Sequence, residues 1–302
     1  MREIRRVGKS AGSDWVARLV RALDEEGLAP RTIRVYQYDL EEFLRWYAPR
    51  ELAEFTKTDL QAFHLHLSQR KDLKPATVNR KLQALRRLCR WAYQRGVLES
   101  DATAWLKIKH LRRSLLPQCL TEDEINSLLR AAGQSPHGLR KRNYALLQLM
   151  LQTGLQVSEV AGLRVLDVVL RPRTGWVEIR PLEGPERRVP LPAGARRGLN
   201  AYLKSRDPLR PSDPLFLSET RLPLSVRSIQ SVIWNLARRA RITRLRVSAR
   251  TLRHTFASSF LKEKPGQLAE LAALLGRTSL DTTAAFGLRG ELVKDGKRRD
   301  DE

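Results

Sequence analysis

Two arginines stand one helical turn apart in the segment 248–256, which reads S-A-R-T-L-R-H-T-F. Arg250 and Arg253 are three positions apart, a spacing that places both side chains on one face of a helix. A guanidinium is a planar fork that donates to two oxygens at once and keeps its charge at physiological pH. The pair is therefore suited to holding a phosphate group. The residues around it decide whether the site also does chemistry on that phosphate.

The composition favours a polyanionic partner. The chain has 302 residues, with 56 Lys plus Arg against 33 Asp plus Glu, which gives a formal charge of +23. That excess is typical of proteins that bind nucleic acid. The length predicts about two globular domains. No apolar run approaches the ~18–20 residues of a membrane span, and the N-terminus lacks the apolar core of a signal peptide, so a cytoplasmic, nucleoid-associated protein is expected.

The cysteines exclude some site chemistries. Cys89 and Cys119 are the two cysteines of the chain, and they show no metal-ligand spacing and no disulfide framework. Both fit a reducing compartment as buried or idle thiols. The cysteines therefore give no sign of a metal site, and no cofactor is expected.

Apolar residues at helical spacing predict four helices over residues 13–96. The first ends near Gly27. The third opens with Thr58 and Gln61, which we interpret as a capping box. The fourth begins at Pro75, a residue favoured in a first helical turn. Residues 10–97 are thus predicted to form an N-terminal helical domain.

The fourth helix carries an unusual number of basic residues away from its apolar stripe. A helix this basic can lie in the major groove of DNA, although a solvated cationic face would have the same composition. The basic residues of this helix and of the position before it are Lys74, Arg80, Lys81, Arg86, Arg87 and Arg90.

The second half begins after a basic linker, predicted over residues 98–119. The domain that follows is predicted over 120–290, with a polar tail at 291–302. Thr121 and Glu124 form a second predicted capping box. Helices are predicted at 139–152, 158–163, 193–205, 226–241, 249–262, 268–275 and 280–286, with two strands at 176–180 and 187–191.

The predicted helix at 226–241 has the composition of a DNA reader. Arginine side chains recognise guanine edges, and glutamine or asparagine side chains recognise adenine. The residues outside its buried stripe include Arg227, Gln230, Arg238, Arg239 and Arg241.

Four short sequence motifs follow one another along the C-terminal half of the chain. They are T-G-L-Q-V-S-E-V at 153–160, R-R-V-P-L at 187–191, A-R-T-L-R-H-T-F-A at 249–257 and L-L-G-R-T-S-L-D-T-T-A-A-F at 274–286. Their order and spacing resemble the tyrosine recombinases, the phage-integrase and Xer-like enzymes. The resemblance implies a mainly α fold with a small β-sheet. It also implies an N-terminal four-helix, SAM-like core-binding domain and a C-terminal catalytic-type domain that together clamp duplex DNA.

The resemblance also implies a reaction. In this family a tyrosine attacks the scissile phosphate, and two arginines stabilise the non-bridging oxygens. A lysine from the β-hairpin protonates the leaving oxygen, and two histidine-type positions assist proton transfer. The reaction needs no metal.

These roles map poorly onto the present chain. Arg253 matches the second arginine, and Glu159 keeps the acidic position of the first motif. The other catalytic positions hold Gln156 for the first arginine, Leu182 or Glu183 for the lysine, Arg250 and Arg277 for the two histidines, and Phe286 for the nucleophile.

Phenylalanine keeps the aromatic ring but lacks the hydroxyl that forms the covalent intermediate. The chain has six tyrosines, and none lies beyond Tyr202. Arg250, Arg253 and Arg277 would still place positive charge around a phosphate. The pattern predicts DNA binding without cleavage, and hence a protein that is not by itself a recombinase.

Three functions remain open at this point. The first is an accessory or regulatory DNA-binding protein in recombination or integration of a mobile element, acting beside an active tyrosine recombinase. The second is an active recombinase with an unusual nucleophile, such as Tyr202, or with one from a partner. The third is a transcriptional repressor or architectural protein. Self-association on DNA is expected to be weak, because the tail offers few apolar residues.

Overall fold

The structure is a computed structural model that describes residues 11–48, 50, 52–104, 106, 118–180, 186–206 and 209–276. The chain divides into two compact units, Met1–Arg113 and Ser114–Glu302. Each unit has its own apolar core. The architecture is mainly helical with one small sheet, as the sequence predicts. Most of the predicted linker and the whole predicted tail lie outside the described residues.

The N-terminal unit contains the four predicted helices, α1 (Ala11–Glu25), α2 (Pro30–Tyr47), α3 (Lys57–Gln69) and α4 (Pro75–Gln94). Pro30 and Pro75 occupy the first turn of their helices, where the missing N–H costs no hydrogen bond. Phe43 lies at the centre of the core, and its ring packs edge-on against Phe55 at 5.3 Å and Phe63 at 5.1 Å.

The capping box of α3 lies two residues before the predicted one. The hydroxyl of Thr56 accepts from the amide of Asp59, and the Asp59 carboxylate accepts from the amide of Thr56 at 3.0 Å. The prediction of a box at Thr58 and Gln61 is therefore wrong. A carboxylate is the stronger acceptor near the positive end of a helix, and Asp59 is also fixed by Arg50 at 2.5 Å.

The C-terminal unit surrounds a buried helix, α6. Its helices are α5 (Glu122–Gly133), α6 (His137–Thr153), α7 (Val157–Gly162), α8 (Ala193–Leu203), α9 (Val226–Arg239), α10 (Ala249–Glu263) and α11 (Leu268–Leu275). The predicted capping box of Thr121 and Glu124 is confirmed at the start of α5. Among the described helices, none is long and apolar enough to span a membrane.

The sheet has three antiparallel strands in the order β1 (Val168–Leu170), β2 (Gly175–Ile179) and β3 (Arg187–Pro190). Val177 lies opposite Val189 in the register of β2 and β3. The two predicted strands are confirmed, and β1 was missed because its apolar run shows no alternation. The predicted helix at 280–286 lies outside the described residues.

Candidate phosphate site and nucleic-acid interface

Arg253 is buried at the junction of three helices and is only 8% exposed. Its Nη1 donates to the Gly154 carbonyl at 2.9 Å, and its Nη2 donates to the Leu275 carbonyl at 2.7 Å. Gly154 follows α6, and Leu275 ends α11. Carbonyls at helix C-termini lack intrahelical partners and carry partial negative charge. The guanidinium on α10 therefore holds the ends of α6 and α11 together.

Glycine at position 154 permits this approach. Its φ is +64°, in the left-handed region that side chains disfavour. A Cβ at this position would lie 2.3 Å from Cδ1 of Phe256. The T-G-L turn thus requires glycine if its carbonyl is to reach Arg253.

A second, partly buried guanidinium binds the same end of α11, and the sequence analysis did not predict it. Arg187 on β3 pairs with Glu159, with 2.7 Å between Nη2 and Oε1, and its Nε donates to the Leu274 carbonyl at 2.9 Å. A Cβ on Gly276 would lie 2.7 Å from the Arg187 Nη1. Two arginines, 187 and 253, therefore bind the last carbonyls of α11. No local sequence signal reveals the ion pair of Arg187 and Glu159, because these two residues are 28 positions apart.

Gln156 is the exposed N-cap residue of α7. Its backbone amide donates to Oε2 of Glu159 at 2.7 Å, while Oε1 of the same carboxylate binds Arg187. A neutral amide side chain can donate hydrogen bonds but supplies no charge. The cation that pairs with Glu159 therefore comes from β3 and not from position 156.

Arg250 is exposed, although it lies one turn from Arg253 on the same helix. Its Nε is 3.3 Å from Nε2 of His254. The sequence predicted both arginines on one face of the helix, but the two side chains differ in solvent exposure. Arg250 is accessible to a ligand from solvent, whereas Arg253 is largely enclosed by the protein.

Several predicted site positions lie outside the described residues. These are Glu183, with its alternative Leu182, and Arg277 and Phe286. The described part of the site ends at Gly276, immediately before Arg277. Within the described ranges, no group of three or more His, Cys, Asp or Glu side chains is placed to hold a metal ion.

The basic residues of α4 are more fully paired than predicted. Lys81 is 4% exposed, and its Nζ donates to Asp39 at 3.1 Å and to Glu42 at 2.7 Å. Arg80 pairs with the same aspartate. Burial raises the pKa of Glu42, but the hydrogen bond and charge of Lys81 outweigh it and hold that pKa below its ordinary value. The prediction that Lys81 lies on an exposed basic face is therefore wrong, because a buried carboxylate captures it.

Two further arginines of α4 are also bound within the N-terminal unit. Arg86 donates to the Leu106 carbonyl, and Arg87 pairs with Glu26. Lys74 and Arg90 are exposed and make no ion pair within the part of the chain that the structure describes. The accessible positive charge of this helix is therefore smaller than its composition suggests.

The face of α9 that is turned away from the core is polar and basic. The helix begins after Ser225, whose hydroxyl accepts from the Ser228 amide at 3.1 Å, and it buries Ile229 and Ile233. Arg239 donates to the Gln134 carbonyl at 2.7 Å. The predicted reader residues Arg227, Gln230, Arg238, Arg239 and Arg241 are all exposed.

The end of α9 differs from the prediction by two residues. The helix stops at Arg239, and Arg241 lies beyond it with a φ of +53°. Trp234, which the sequence analysis did not single out, is 46% exposed on the same helix. Its ring lies 4.7 Å below the Arg238 guanidinium.

Two protein-family models match this chain. The model described as "Phage integrase family" matches residues 118–286, which is more than half of the chain. The chain belongs to the phage integrase family. A second model, "Phage integrase, N-terminal SAM-like domain", matches residues 15–99. The phage integrase match thus begins near the start of the C-terminal unit and ends at Phe286.

Curated relatives of this integrase-family chain are Xer tyrosine recombinases. It is 34% identical over 277 residues to tyrosine recombinase XerD of Xanthomonas axonopodis pv. citri, covering 87% of this chain and 88% of the relative. It is 32% identical over 268 residues to tyrosine recombinase XerC of Neisseria gonorrhoeae, covering 86% of each chain.

Solved structures of recombinases share the fold of this integrase-family chain. XerH bound to palindromic difH substrate, in a post-cleavage complex, matches with a TM-score of 0.79 at 18% identity and covers 100% of both chains. A lambda integrase dimer bound to a COC' core site matches with a TM-score of 0.72 at 19% identity, covering 91% of this chain and 76% of the other. At these identities the matches establish the fold alone.

Proposed function

We propose that this chain is a duplex-DNA-binding protein of the tyrosine recombinase family that does not cleave DNA by itself. It acts as an accessory or regulatory protein in recombination or integration of a mobile element, beside an active tyrosine recombinase, in the cytoplasm at the nucleoid. The observation that carries this proposal is Phe286 at the nucleophile position, combined with the lack of any tyrosine beyond Tyr202.

The tyrosines of the C-terminal unit are poorly placed to replace the nucleophile. Tyr202 is 5% exposed, and its hydroxyl accepts a hydrogen bond from the Leu217 amide at 3.1 Å. Tyr144 is more exposed, but it lies ten residues before Gly154 along α6. At 1.5 Å rise per residue that separation is about 15 Å, too far for attack on a phosphate held beside Arg253.

The remaining cations support phosphate binding better than phosphate chemistry. Arg250 is exposed, and a guanidinium at a histidine position cannot give up a proton near neutral pH. Gln156 brings no charge, and the fork of Arg187 is already bound by Glu159 and Leu274. These side chains can hold a backbone phosphate through charge-assisted hydrogen bonds, but Gln156, Arg187, Arg250 and Arg253, the described members of the site, supply no general acid for the leaving oxygen.

Specific binding would come from surfaces outside this site. The exposed arginines and Gln230 of α9 suit base edges in the major groove, while Arg90 of α4 and Lys74, the residue before that helix, suit phosphates. The two units would then contact a duplex as a clamp. The formal charge of +23 supports an affinity that falls steeply with salt, because each neutralised phosphate releases counterions.

The test is selection of bound duplexes from a random library with the full chain, followed by trapping on the selected duplex carrying a nick near its centre. We expect saturable, salt-dependent binding and no covalent protein–DNA adduct. The XerD relative on its own nicked site is the positive control. An adduct that survives denaturation would overturn the proposal, and loss of that adduct in Tyr202→Phe or Tyr144→Phe would identify the nucleophile.

Genome-wide occupancy of the same chain tests the accessory role. Sites at the ends of mobile elements support it, whereas sites confined to promoters would replace it with repression. Light scattering with and without the selected duplex tests the expectation that self-association on DNA is weak.

A further inference from the structure

Trp234 is the exposed aromatic residue of the DNA-reading helix. Its side chain is 46% exposed on α9, although a tryptophan gains more from burial than almost any other residue. A single exposed apolar side chain is common on protein surfaces. Trp234 is in addition paired with a basic residue of its own helix, because the Arg238 guanidinium lies 4.7 Å from the ring centroid.

The spacing along α9 places this pair on the exposed side of the helix. Gln230, Trp234 and Arg238 follow one another at intervals of four and therefore lie in one column along the helix. All three are exposed, whereas Ile229 and Ile233 of the same helix are buried. Trp234 therefore lies between Gln230 and Arg238, two residue types that form hydrogen bonds with base edges.

The cation–π contact also limits where Arg238 can reach. An arginine stacked on an indole loses rotamer freedom before it meets a ligand, so less conformational entropy remains to be lost on binding. Arg239 is instead held by the Gln134 carbonyl at 2.7 Å. Of these two adjacent arginines, Arg238 is the one whose position depends on Trp234.

We propose that Trp234 determines sequence specificity by packing its indole against the 5-methyl group of a thymine in the major groove, and by orienting Arg238 toward a neighbouring base. This inference rests on the proposed DNA-binding function. An α-helix about 10–12 Å wide fits the major groove, which is about 12 Å wide. The thymine methyl is the apolar group that the groove exposes, and apolar side chains recognise it. The phosphates offer only charged oxygens, with no apolar group against which an uncharged ring could pack.

The experiment uses the full chain and the duplex selected from a random library. Each thymine is replaced in turn by deoxyuridine, which removes only the methyl group. Affinity is measured by fluorescence anisotropy at one fixed salt concentration for wild type, Trp234→Ala and Trp234→Phe. Tyr144→Ala, which removes an exposed aromatic ring from α6, is the matched control. Circular dichroism and thermal melting confirm that each variant is folded.

For the wild type, we expect deoxyuridine at one thymine position to weaken binding about fourfold, the factor that corresponds to about 0.8 kcal/mol for one buried methyl-sized group. Trp234→Ala should bind the selected duplex more weakly and show no thymine preference at that position. Trp234→Phe should keep part of the preference. Tyr144→Ala should behave as the wild type does.

Three outcomes would overturn this inference. If Trp234→Ala keeps the wild-type thymine profile, the indole does not read the methyl group. If Trp234→Ala weakens all duplexes equally and deoxyuridine has no effect on the wild type, the indole contacts the DNA backbone instead. If the wild type binds no duplex, the proposed function fails, and this inference fails with it.

Discussion

Replacing Arg253 with alanine should destabilise the C-terminal unit, whatever it does to DNA binding. The substitution removes the donors to two carbonyls, those of Gly154 and Leu275. A hydrogen bond from a charged group contributes about 1.5–3 kcal/mol. Two such bonds give an expected decrease of about 3–6 kcal/mol in the free energy required to open the ends of α6 and α11. Arg253→Lys should recover only part of this stability. An ammonium still donates hydrogen bonds, but it lacks the planar fork that reaches both carbonyls.

Hydrogen exchange monitored by mass spectrometry measures this effect locally, so it does not assume that the two units unfold together. Peptides from α6 and α11 should lose protection in Arg253→Ala, while peptides from α2 in the other unit should not change. The matched control is Arg250→Ala, which removes an exposed arginine one turn away. Its stability should stay within about 0.5 kcal/mol of wild type. Its DNA affinity should fall, and the slope of log K against log salt should drop by about 1.

The contrast between the two variants can refute this reasoning. If Arg253→Ala keeps full protection in α6 and α11 yet loses DNA affinity as Arg250→Ala does, Arg253 is chiefly a phosphate ligand. The two carbonyl contacts would then contribute little to the fold.

Three further perturbations follow from single contacts. The hydrogen bond from Arg244 lowers the pKa of Glu124 below its ordinary value of 4.5. The ionised carboxylate therefore stabilises the fold above pH 4.5, and this contribution is lost as the pH falls through the lowered pKa. Glu124→Gln should for that reason flatten the decline in melting temperature below pH 5. Gly154→Ala should cost about 1–2 kcal/mol from its left-handed backbone alone, and more from the 2.3 Å approach of its Cβ to Phe256, which urea denaturation of the C-terminal unit can measure. Burial raises the pKa of the Cys89 thiol, so iodoacetamide should label it only after denaturation.

Local patterns predicted the helices well where apolar spacing and a terminal signal agree. The predicted end of α11 at Leu275 is confirmed, and Gly276 after it adopts the left-handed C-cap conformation. The two strands before α8 were predicted from their alternation. By contrast, the start of α3 contains two overlapping Thr-x-x-polar patterns, and only the fold shows that Arg50 fixes Asp59 in the capping position.

The sequence did not reveal which charged side chains are buried, or which ones form ion pairs with residues far away in the chain. Lys81 shares a helix with exposed basic residues, and its burial depends on Asp39, which is 42 positions earlier in the chain. The pair of Arg187 and Glu159 joins a strand to a helix in the same way. The candidate site could therefore be located from its motifs, whereas the use of Arg253 as a link between two helix ends required the structure.

The most direct test of the account is covalent trapping on the selected, nicked duplex with saturating protein. We predict that the duplex is fully bound and that denaturing electrophoresis shows no protein–DNA adduct. Under the proposed function, Phe286→Tyr alone should also give no adduct, because the variant adds a hydroxyl but leaves a neutral glutamine at position 156, where the resemblance implies the first arginine. A stable adduct with the wild-type chain would contradict the account.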